Sequence, residues 1–425
     1  MIKLGQELKV KIEDHNEKGI AIARYEGKKL FIKSVIKDEE ALVKIIDVRD
    51  KYFKAKLLKV IDSSSSRADP PCQYYDECGG CNLQHFTDEA YLNLKHRFAK
   101  NIIDNLGVNQ DVLQKVEYVG AKARRKVSLK ISYDEILKVG FFQENTNQVV
   151  DISSCYIASD RINKIIVKLK DLLLSLNNCR IIKEILLTDL SDKIDIVAKT
   201  SEYFTKTDKQ IIKDFAELNN IARFTQITDQ EIVIFDNNSA AIDFGKFLIN
   251  YPSDSFIQAS KIAETTIVKI IKSYSKTQQN ILDLFAGLGT YSFNFCLDAY
   301  SISAYEGNKV MVNAALQAII KYNLEDKIRF FTRDLFKKPL ISKELKKFDL
   351  VIINPPRDGA KNQIIELSKT NIPIIIIVSC NPTSFNRDAK ILISGNYSLI
   401  ELTPIDQFYY SSHLELVGVF KKFSS

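Results

Sequence analysis

The chain has 425 residues, of which 45% are hydrophobic and 27% charged, and its formal net charge is +7. This balance is typical of globular domains, and it excludes a wholly disordered chain and a coiled-coil rod. At roughly 100–200 residues per domain, we expect two to four domains. The longest apolar run, 372–378, is much shorter than the ~20 residues that cross a bilayer, and the first residues lack a signal-peptide core. We therefore predict a cytoplasmic protein without membrane association.

The first 62 residues predict a small β-domain. Gly19 and Gly27 separate short stretches of alternating apolar and polar residues. Five strands in so short a segment are typical of an OB-like barrel, a common nucleic-acid-binding fold. The predicted strands are Leu8–Ile12, Ile20–Tyr25, Lys29–Ile32, Ala41–Val48 and Tyr52–Ile61.

Residues 63–255 predict a linker, a cysteine-rich loop and a central α/β domain. The linker is Ser-rich and ends in Pro70-Pro71. Helices are predicted at 88–110, Ile162–Leu176 and Lys209–Leu218, and strands at Lys126–Tyr133, Val139–Gln143, Ile185–Leu187 and Ile194–Lys199.

The cysteines indicate a metal centre. Cys72, Cys78 and Cys81 lie within ten residues, and Gly79-Gly80 allows the chain to curl around a metal. Cys155, in a predicted turn, is the leading candidate for a fourth ligand. Four thiolates suit either a [4Fe–4S] cluster or structural zinc, although the spacing differs from that of zinc ribbons.

The segment 256–425 predicts a nucleotide-binding α/β domain. Short apolar strands alternate with helices, which indicates a doubly wound parallel sheet with ligands at the carboxyl ends of its strands. The predicted strands are Ile281–Phe285, Ser301–Tyr305, Ile328–Thr332, Leu350–Ile353, Ile374–Ser379, Leu399–Thr403 and Leu416–Phe420.

Residues after the first three of these strands favour an adenosine-containing cofactor. Gly287 and Gly289 allow close backbone approach, Glu306 suits the ribose hydroxyls, and Asp334 is placed to accept from an adenine amine. A third glycine of the dinucleotide fingerprint and a Walker motif are both missing from the sequence, which disfavours NAD and nucleoside triphosphates. S-adenosylmethionine (SAM) fits best.

Later strand ends predict methyl transfer to a pyrimidine. Cys380 follows the fifth strand, and His413 and Glu415 precede the last and share one face if that stretch is extended. Addition of a thiolate to C6 activates C5 of a pyrimidine toward a methyl donor, and a base must then remove the C5 proton. We assign these roles to Cys380 and Glu415. Asn354, held by Pro355-Pro356, is placed to pair with a planar base.

These motifs together resemble the RNA (uracil-C5)-methyltransferase family, and within it the type that acts on 23S ribosomal RNA. The resemblance implies an α/β multidomain protein with three parts. Residues 1–62 would form an RNA-binding OB-like barrel of TRAM type, 63–255 a four-cysteine iron–sulfur region with a central α/β domain, and 256–425 a Rossmann-like SAM methyltransferase domain. It also implies a monomer that methylates a 23S rRNA uridine.

The resemblance further implies roles for individual residues. The implied [4Fe–4S] ligands are Cys72, Cys78, Cys81 and Cys155; the implied SAM-pocket residues are Gln258, Phe285, Thr290, Glu306 and Asn354; the implied nucleophile and base are Cys380 and Glu415. The sequence departs from the family pattern at Asn354, where the family has Asp, and at Ser260, where it has Asn.

RNA contacts are predicted from the barrel and from a basic run formed by Lys122, Arg124, Arg125 and Lys126. Several alternatives remain open. One is methylation of another rRNA or tRNA uridine, and another is methylation of cytosine. The others are a folate- and flavin-dependent uracil methylase, for which the flavin fingerprint is missing from the sequence, and a non-catalytic RNA-binding protein that retains the fold.

Overall fold

A computed structural model describes residues 2–133, 135–275 and 279–423. The chain divides into two compact units, each made of several chain segments. The first contains residues 1–99, 142–148 and 408–413, and the second contains 100–141, 149–407 and 414–425. The predicted division at 62 and 255 therefore stays a prediction. Among the described helices, none combines the length and apolar character that a membrane span requires.

The first unit contains one six-stranded sheet, ordered β1-β5-β6-β4-β3-β2. The predicted barrel strands are confirmed, and a short sixth strand, β2, is added to them. Alternate side chains of these strands enclose one apolar cluster that includes Ala23, Leu30 and Val43. The strands are β1 (Glu7–Lys11), β2 (Asp14–His15), β3 (Ala21–Tyr25), β4 (Lys28–Ile32), β5 (Glu40–Val48) and β6 (Tyr52–Asp62).

An ion pair fixes the segment after the barrel in the first unit. Glu39 is fully buried, and its carboxylate accepts hydrogen bonds from Arg67 Nε at 2.6 Å and Nη2 at 2.7 Å. The backbone N–H groups of Ile36 and Ser64 donate to the same carboxylate. Helix α1 (Asp88–Leu106) begins in this unit and ends in the second.

The second unit contains a seven-stranded mixed sheet, ordered β10-β9-β8-β11-β12-β13-β14, and a two-stranded sheet of β15 and β16. The helices and strands predicted for the central α/β domain are confirmed, with shifted ends. The elements are β7 (Glu117–Tyr118), β8 (Lys126–Tyr133), β9 (Leu137–Phe142), β10 (Val149–Asp151), α2 (Asp160–Ser175), β11 (Ile182–Asp189), β12 (Ile194–Thr200), α3 (Lys206–Leu218), β13 (Ile221–Ile227), β14 (Glu231–Asp236), β15 (Ala241–Phe244), β16 (Phe247–Asn250) and α4 (Lys261–Tyr274).

An eight-stranded sheet, ordered β19-β18-β17-β20-β21-β23-β22-β7, forms the rest of the second unit. All seven strands predicted after residue 280 are present, and β7 adds an edge. The elements are β17 (Asn280–Leu284), α5 (Thr290–Phe295), β18 (Ser301–Glu306), α6 (Lys309–Lys321), β19 (Ile328–Thr332), α7 (Ser342–Leu345), β20 (Leu350–Ile353), α8 (Lys361–Ser368), β21 (Ile374–Ser379), α9 (Pro382–Ser394), β22 (Tyr397–Asp406) and β23 (Glu415–Lys422).

The prediction of an all-parallel sheet is wrong for the last strand, β23. The first five are parallel, but β23 runs antiparallel to both β21 and β22. A parallel pair needs a long crossover, whereas only residues 407–414 join β22 to β23. The reversal brings the start of β23 to the edge where β21 ends.

Candidate active site

The predicted nucleophile and base lie at the same edge of the eight-stranded sheet. Ser379, the last residue of β21, pairs with Leu416 of β23. Continuing this antiparallel register by one residue places Cys380 opposite Glu415. The hairpin therefore brings together two residues that are 35 positions apart in the sequence.

Cys380 is half-buried, and two charged neighbours shift the pKa of its thiol in opposite directions. Burial raises the pKa of its thiol, and Glu415 raises it further, whereas the charge of Arg357 and a side-chain hydrogen bond with Arg357 lower it. Arg357 lies in the loop after β20, so the sequence Pro355-Pro356-Arg357 delivers a guanidinium to the thiol. This role was not predicted, and only the position of the arginine after the two prolines could have signalled it.

The loop that carries Arg357 is hydrogen-bonded to the residue that caps α9. Asn381 Nδ2 donates to Arg357 O at 2.8 Å, and Asn381 Oδ1 caps the helix by accepting from Thr383 N. Farther along, Asp388 Oδ2 accepts from Ala360 N at 2.9 Å. These contacts fix Arg357 relative to the Cys380 loop.

Glu415 is only 3% exposed. Burial raises the pKa of its carboxyl to about 8, and a hydrogen bond from Gln407 partly offsets this by lowering it. A carboxylate with a pKa near neutrality suits proton abstraction at physiological pH. Gln407 was not predicted as a site residue; its position beside Asp406, at the end of a buried strand, was the available signal.

His413 and Glu415 do not share a face, so that prediction is wrong. Residues 407–414 form a turn rather than an extended strand, and His413 is exposed while Glu415 is buried. The turn breaks the alternation on which the prediction depended.

Gln258 extends the polar contacts around the base. Its Oε1 accepts from Gln407 Nε2 at 3.2 Å, and its Nε2 donates to Tyr291 OH at 3.4 Å. Gln258 is 3% exposed and therefore lies in the interior beside the predicted base. Its neighbour Ser260 caps α4 by accepting from Ile262 N and Ala263 N. Serine and asparagine are comparable helix caps, so the departure from the family pattern at this position preserves the local structure.

The glycine loop after β17 has the open backbone expected of a cofactor site. Phe285, Gly287 and Gly289 have φ values of 58°, 58° and 87°. A side chain on Gly287 would point into open space, whereas one on Gly289 would clash with Phe293. Thr290 begins α5 directly after this loop. The loop therefore combines an accessible backbone with glycines that its geometry requires.

Glu306, at the end of β18, supports the same loop. Its Oε2 accepts from Gly287 N at 2.9 Å, and its Oε1 accepts from Asn308 N at 2.8 Å. The carboxylate is thus placed at the glycine loop, where a ribose would lie if the loop binds SAM. Asp334 is exposed and accepts from Phe336 N, and Asn354 is half-buried at the end of β20.

Asp283 is a buried carboxylate that was not predicted as a site residue. Ser292 donates to its Oδ2 through both the backbone N–H and the hydroxyl. Burial raises the pKa of Asp283 to about 7, while these hydrogen bonds lower it. An acidic residue inside an apolar strand before a glycine loop was the signal in the sequence.

The basic run predicted to contact RNA is only partly at the surface. Arg125 is 4% exposed, pairs with the buried Glu264, and donates through Nε to Gln258 O at 2.8 Å. Its assignment to RNA is therefore corrected to a structural role, because its charge is already neutralised in the interior. Lys126 Nζ is bound by Asp254 Oδ1 at 2.9 Å. Lys122 is mostly exposed and pairs with Asp160, and Arg124 is half-buried.

The predicted metal ligands are distributed between the two units. Cys72, Cys78 and Cys81 are half-buried in the first unit, and Cys155 is half-buried in the second. Gly80 N donates to Cys78 Sγ at 3.4 Å. Within the described ranges, no group of three or more His, Cys, Asp or Glu side chains has the arrangement of a metal site.

Comparison with protein families gives two matches that together extend over almost the whole chain. Residues 87–423 match the model described as tRNA (Uracil-5-)-methyltransferase. Residues 3–58 match the TRAM domain, which agrees with the six-stranded sheet of the first unit.

Alignments with individual relatives extend over almost the full length of this chain and of each relative. The chain is 30% identical over 407 residues to an uncharacterized RNA methyltransferase of Mesorhizobium japonicum, covering 95% of each chain. It is 28% identical to the 23S rRNA (uracil(1939)-C(5))-methyltransferase RlmD of Haemophilus parainfluenzae, covering 99% of this chain and 98% of that protein.

A solved structure shares the fold. The Pyrococcus abyssi tRNA (uracil-54, C5)-methyltransferase, in complex with S-adenosyl-L-homocysteine, superposes with a TM-score of 0.76 at 19% identity. The match covers 97% of this chain and 99% of that one.

Proposed function

Because the chain belongs to the tRNA (uracil-5-)-methyltransferase family, and is thus a SAM-dependent RNA uracil-C5 methyltransferase, we propose that its substrate is one uridine of 23S ribosomal RNA. Full-length similarity to RlmD proteins of several bacteria supports this choice of RNA. The product is 5-methyluridine, and the protein acts as a monomer in the cytoplasm, without membrane association.

The observation that carries the mechanism is the proximity of Cys380 and Glu415: Ser379 pairs with Leu416 at the end of β21, and the charge of Glu415 raises the pKa of the Cys380 thiol. The Cys380 thiol loses its proton to solvent before the uridine binds, and the thiolate then adds to C6 of the uracil, which makes C5 nucleophilic. After methyl transfer to C5, Glu415 removes the C5 proton. The electrons of that C–H bond form the C5–C6 double bond and expel the Cys380 thiolate, so the protein residues are regenerated apart from the proton held by Glu415.

Residues of the glycine loop are suited to hold the cofactor. The backbone at Gly287 is open, and Glu306 accepts a hydrogen bond from it. Gln258 contacts Gln407, which in turn contacts the proposed base, Glu415. Bound SAM supplies an electrophilic methyl group. Phe285, Thr290, Asp334 and Asn354 complete the proposed cofactor pocket. Because Glu415 is buried, the protein also limits the access of water to the proposed base.

Arg357 assists formation of the thiolate. Its guanidinium lowers the pKa of the Cys380 thiol, against the effects of burial and Glu415, both of which raise it. Arg357→Lys keeps a positive charge but loses the planar donor set, and Arg357→Ala loses both. We therefore expect slower adduct formation in both variants, with Ala slower than Lys.

RNA contacts in this proposal come from the TRAM domain and from the more accessible part of the basic run, the exposed Lys122 and the half-buried Arg124. The uridine must leave its stack to reach Cys380, as in other enzymes that act on bases. Cytosine is the competing base, because the amide of Asn354 can donate to N3 of cytosine as well as accept from N3–H of uracil.

The cysteines also support an iron–sulfur proposal. Three thiols within ten residues are the ligand type that an iron–sulfur cluster takes, with Cys155 proposed as the fourth ligand, and the described side chains would have to move together to bind it. Anaerobically purified protein should contain about four iron atoms per chain and absorb near ~400 nm. Stoichiometric zinc without iron would contradict this assignment.

Tritium release tests the reaction. The protein and SAM are mixed with 23S rRNA that carries tritium at uracil C5 and comes from cells lacking the enzyme. We expect release of tritium that depends on SAM and on Cys380, with Cys380→Ala as the control. Release from labelled tRNA instead of rRNA would show that the substrate is tRNA. Release only from cytosine-labelled RNA would show that the methylated base is cytosine.

A further inference from the structure

Gln407 is a buried amide whose place in the site is not explained by the roles assigned above. It follows β22 directly and is 5% exposed. Its Nε2 donates both to Glu415 Oε2 and to Gln258 Oε1. One side chain therefore contacts both the proposed base and a residue assigned to the cofactor pocket.

The carbonyl oxygen of the same amide is unused. Gln407 Oε1 is buried and has no hydrogen-bond partner among the described residues. A buried acceptor without a partner destabilises the folded protein, so its retention beside Glu415 requires a reason. A donor that arises during the reaction would provide one.

Glu415 itself becomes that donor. As a carboxylate it accepts hydrogen bonds only, but after it takes the C5 proton it is a carboxylic acid with an O–H group. An amide matches both states, because its N–H group donates to the carboxylate and its oxygen accepts from the acid after the amide rotates. Water cannot easily replace it, since both side chains are buried.

We propose that Gln407 is a positioning residue that holds Glu415 in its reactive orientation in both protonation states and joins it to the cofactor-contacting Gln258. This inference rests on the proposed methyl transfer. The hydrogen bond from Gln407 also lowers the pKa of Glu415 against burial, so its loss raises that pKa further. Gln407 thus acts after methyl transfer, when the base removes the C5 proton.

The test is Gln407→Met, which keeps the length of the side chain and removes both hydrogen-bonding functions. The matched control is Gln363→Met. Gln363 is also a buried glutamine, 1% exposed, but it bonds to the backbone of Leu340. Gln407→Asn serves as a second variant, because it keeps an amide that is one methylene too short to reach both partners.

Single-turnover reactions with labelled SAM and rRNA separate the steps. For Gln407→Met and Gln407→Asn, we expect methyl transfer within about twofold of wild type but release of methylated RNA slowed about tenfold or more. A denaturant-stable protein–RNA adduct should therefore accumulate, and the pH profile of release should move to higher pH. Gln363→Met should release RNA at the wild-type rate, whatever its thermal stability.

Two results would overturn the inference. One is release by both Gln407 variants at the wild-type rate and pH dependence. The other is an equal loss of methyl transfer and release in them, which would indicate a general structural role. A wild-type protein that methylates no rRNA at all would instead overturn the proposed function, together with this inference.

Discussion

At the scale of single residues, the candidate site contains ionisable groups placed where water cannot solvate their charged forms. Glu415 and Asp283 are both buried carboxyls, and burial raises the pKa of Glu415 to about 8 and that of Asp283 to about 7. Each therefore keeps its proton in the folded protein at pH values where the unfolded chain has lost it. The folded state is stabilised at low pH and loses this advantage as the pH rises.

The first prediction follows for Glu415→Gln. Between the unfolded pKa of 4.5 and the folded pKa of about 8, the folded protein binds one more proton at this position than the unfolded chain. The stability that Glu415 contributes therefore decreases as the pH rises across this range. Glutamine does not titrate, so the variant does not lose stability in this way. We expect the difference in melting temperature, variant minus wild type, to increase steadily from pH 5 to pH 8 (about the window set by the two pKa values).

Asp283 titrates in part of the same window but is present in both proteins, so its contribution cancels from the difference. A constant difference in melting temperature across the range would show that Glu415 has an ordinary pKa. In the tritium assay the same variant should form the methylated adduct and retain it, since glutamine cannot remove the C5 proton.

A second prediction concerns the cap of α4. Ser260→Ala removes the acceptor for two backbone N–H groups and should cost about 1 kcal/mol of unfolding free energy. Ser260→Asn should leave stability within a few tenths of a kcal/mol of wild type, because both residues cap well. Chemical denaturation measures both. An alanine variant as stable as the asparagine variant would contradict the capping role.

At the scale of elements, the turn between β22 and β23 is held by residues of the first unit. The backbone N–H of Tyr410 donates to the hydroxyl of Tyr91 at 2.9 Å. Lys95, which is fully buried, donates through Nζ to His413 O at 2.6 Å. Asn82 and Leu83, just after Cys81, both donate from their backbone N–H to Tyr410 O. The turn thus receives contacts at both ends.

A third prediction tests this anchoring. Tyr91→Phe keeps the ring but leaves the N–H of Tyr410 without its acceptor in a buried position, which costs about 1–3 kcal/mol. Because residues 408–413 lead directly into Glu415, we expect lower stability together with slower release of methylated RNA. Thermal unfolding and single-turnover assays measure the two effects. Lower stability with an unchanged release rate would show that the turn does not influence the base.

The sequence predicts the helices and strands well, because they depend on local patterns. The strands after residue 280 follow from periodicity, and the residues at strand ends locate Cys380 after β21 and the glycine loop after β17, whose roles stay predictions. The direction of β23, the exposure of His413 and the burial of Arg125 do not follow, because they depend on long-range pairing. Likewise, the contacts of Arg357 and Gln407 appear only when distant loops are brought together.

At the scale of the whole molecule, a fourth prediction concerns the buried pair of Glu39 and Arg67. Glu39→Gln removes the charge that neutralises Arg67 in the first unit and should cost about 3 kcal/mol or more. Since residues 408–413 belong to the same unit, methylation should also slow, although Glu39 is remote in sequence from Cys380.

Lys9→Gln is the matched control, because the ion pair of Lys9 with Glu40 is exposed and should change stability by less than about 1 kcal/mol. Melting temperature and single-turnover rate are measured for both variants. A Glu39→Gln protein that unfolds earlier but methylates at the wild-type rate would indicate that the first unit stabilises itself only.

Along the sequence, segments of the first unit alternate with segments of the second. Because the first unit is assembled from residues 1–99, 142–148 and 408–413, no single break in the chain separates the two units. A chimera that exchanges only the amino-terminal part with a relative would pair a foreign α1 and cysteine loop with the original turn before Glu415. Recombination between relatives should therefore succeed when all three segments come from one parent, and coding changes in them should be inherited together.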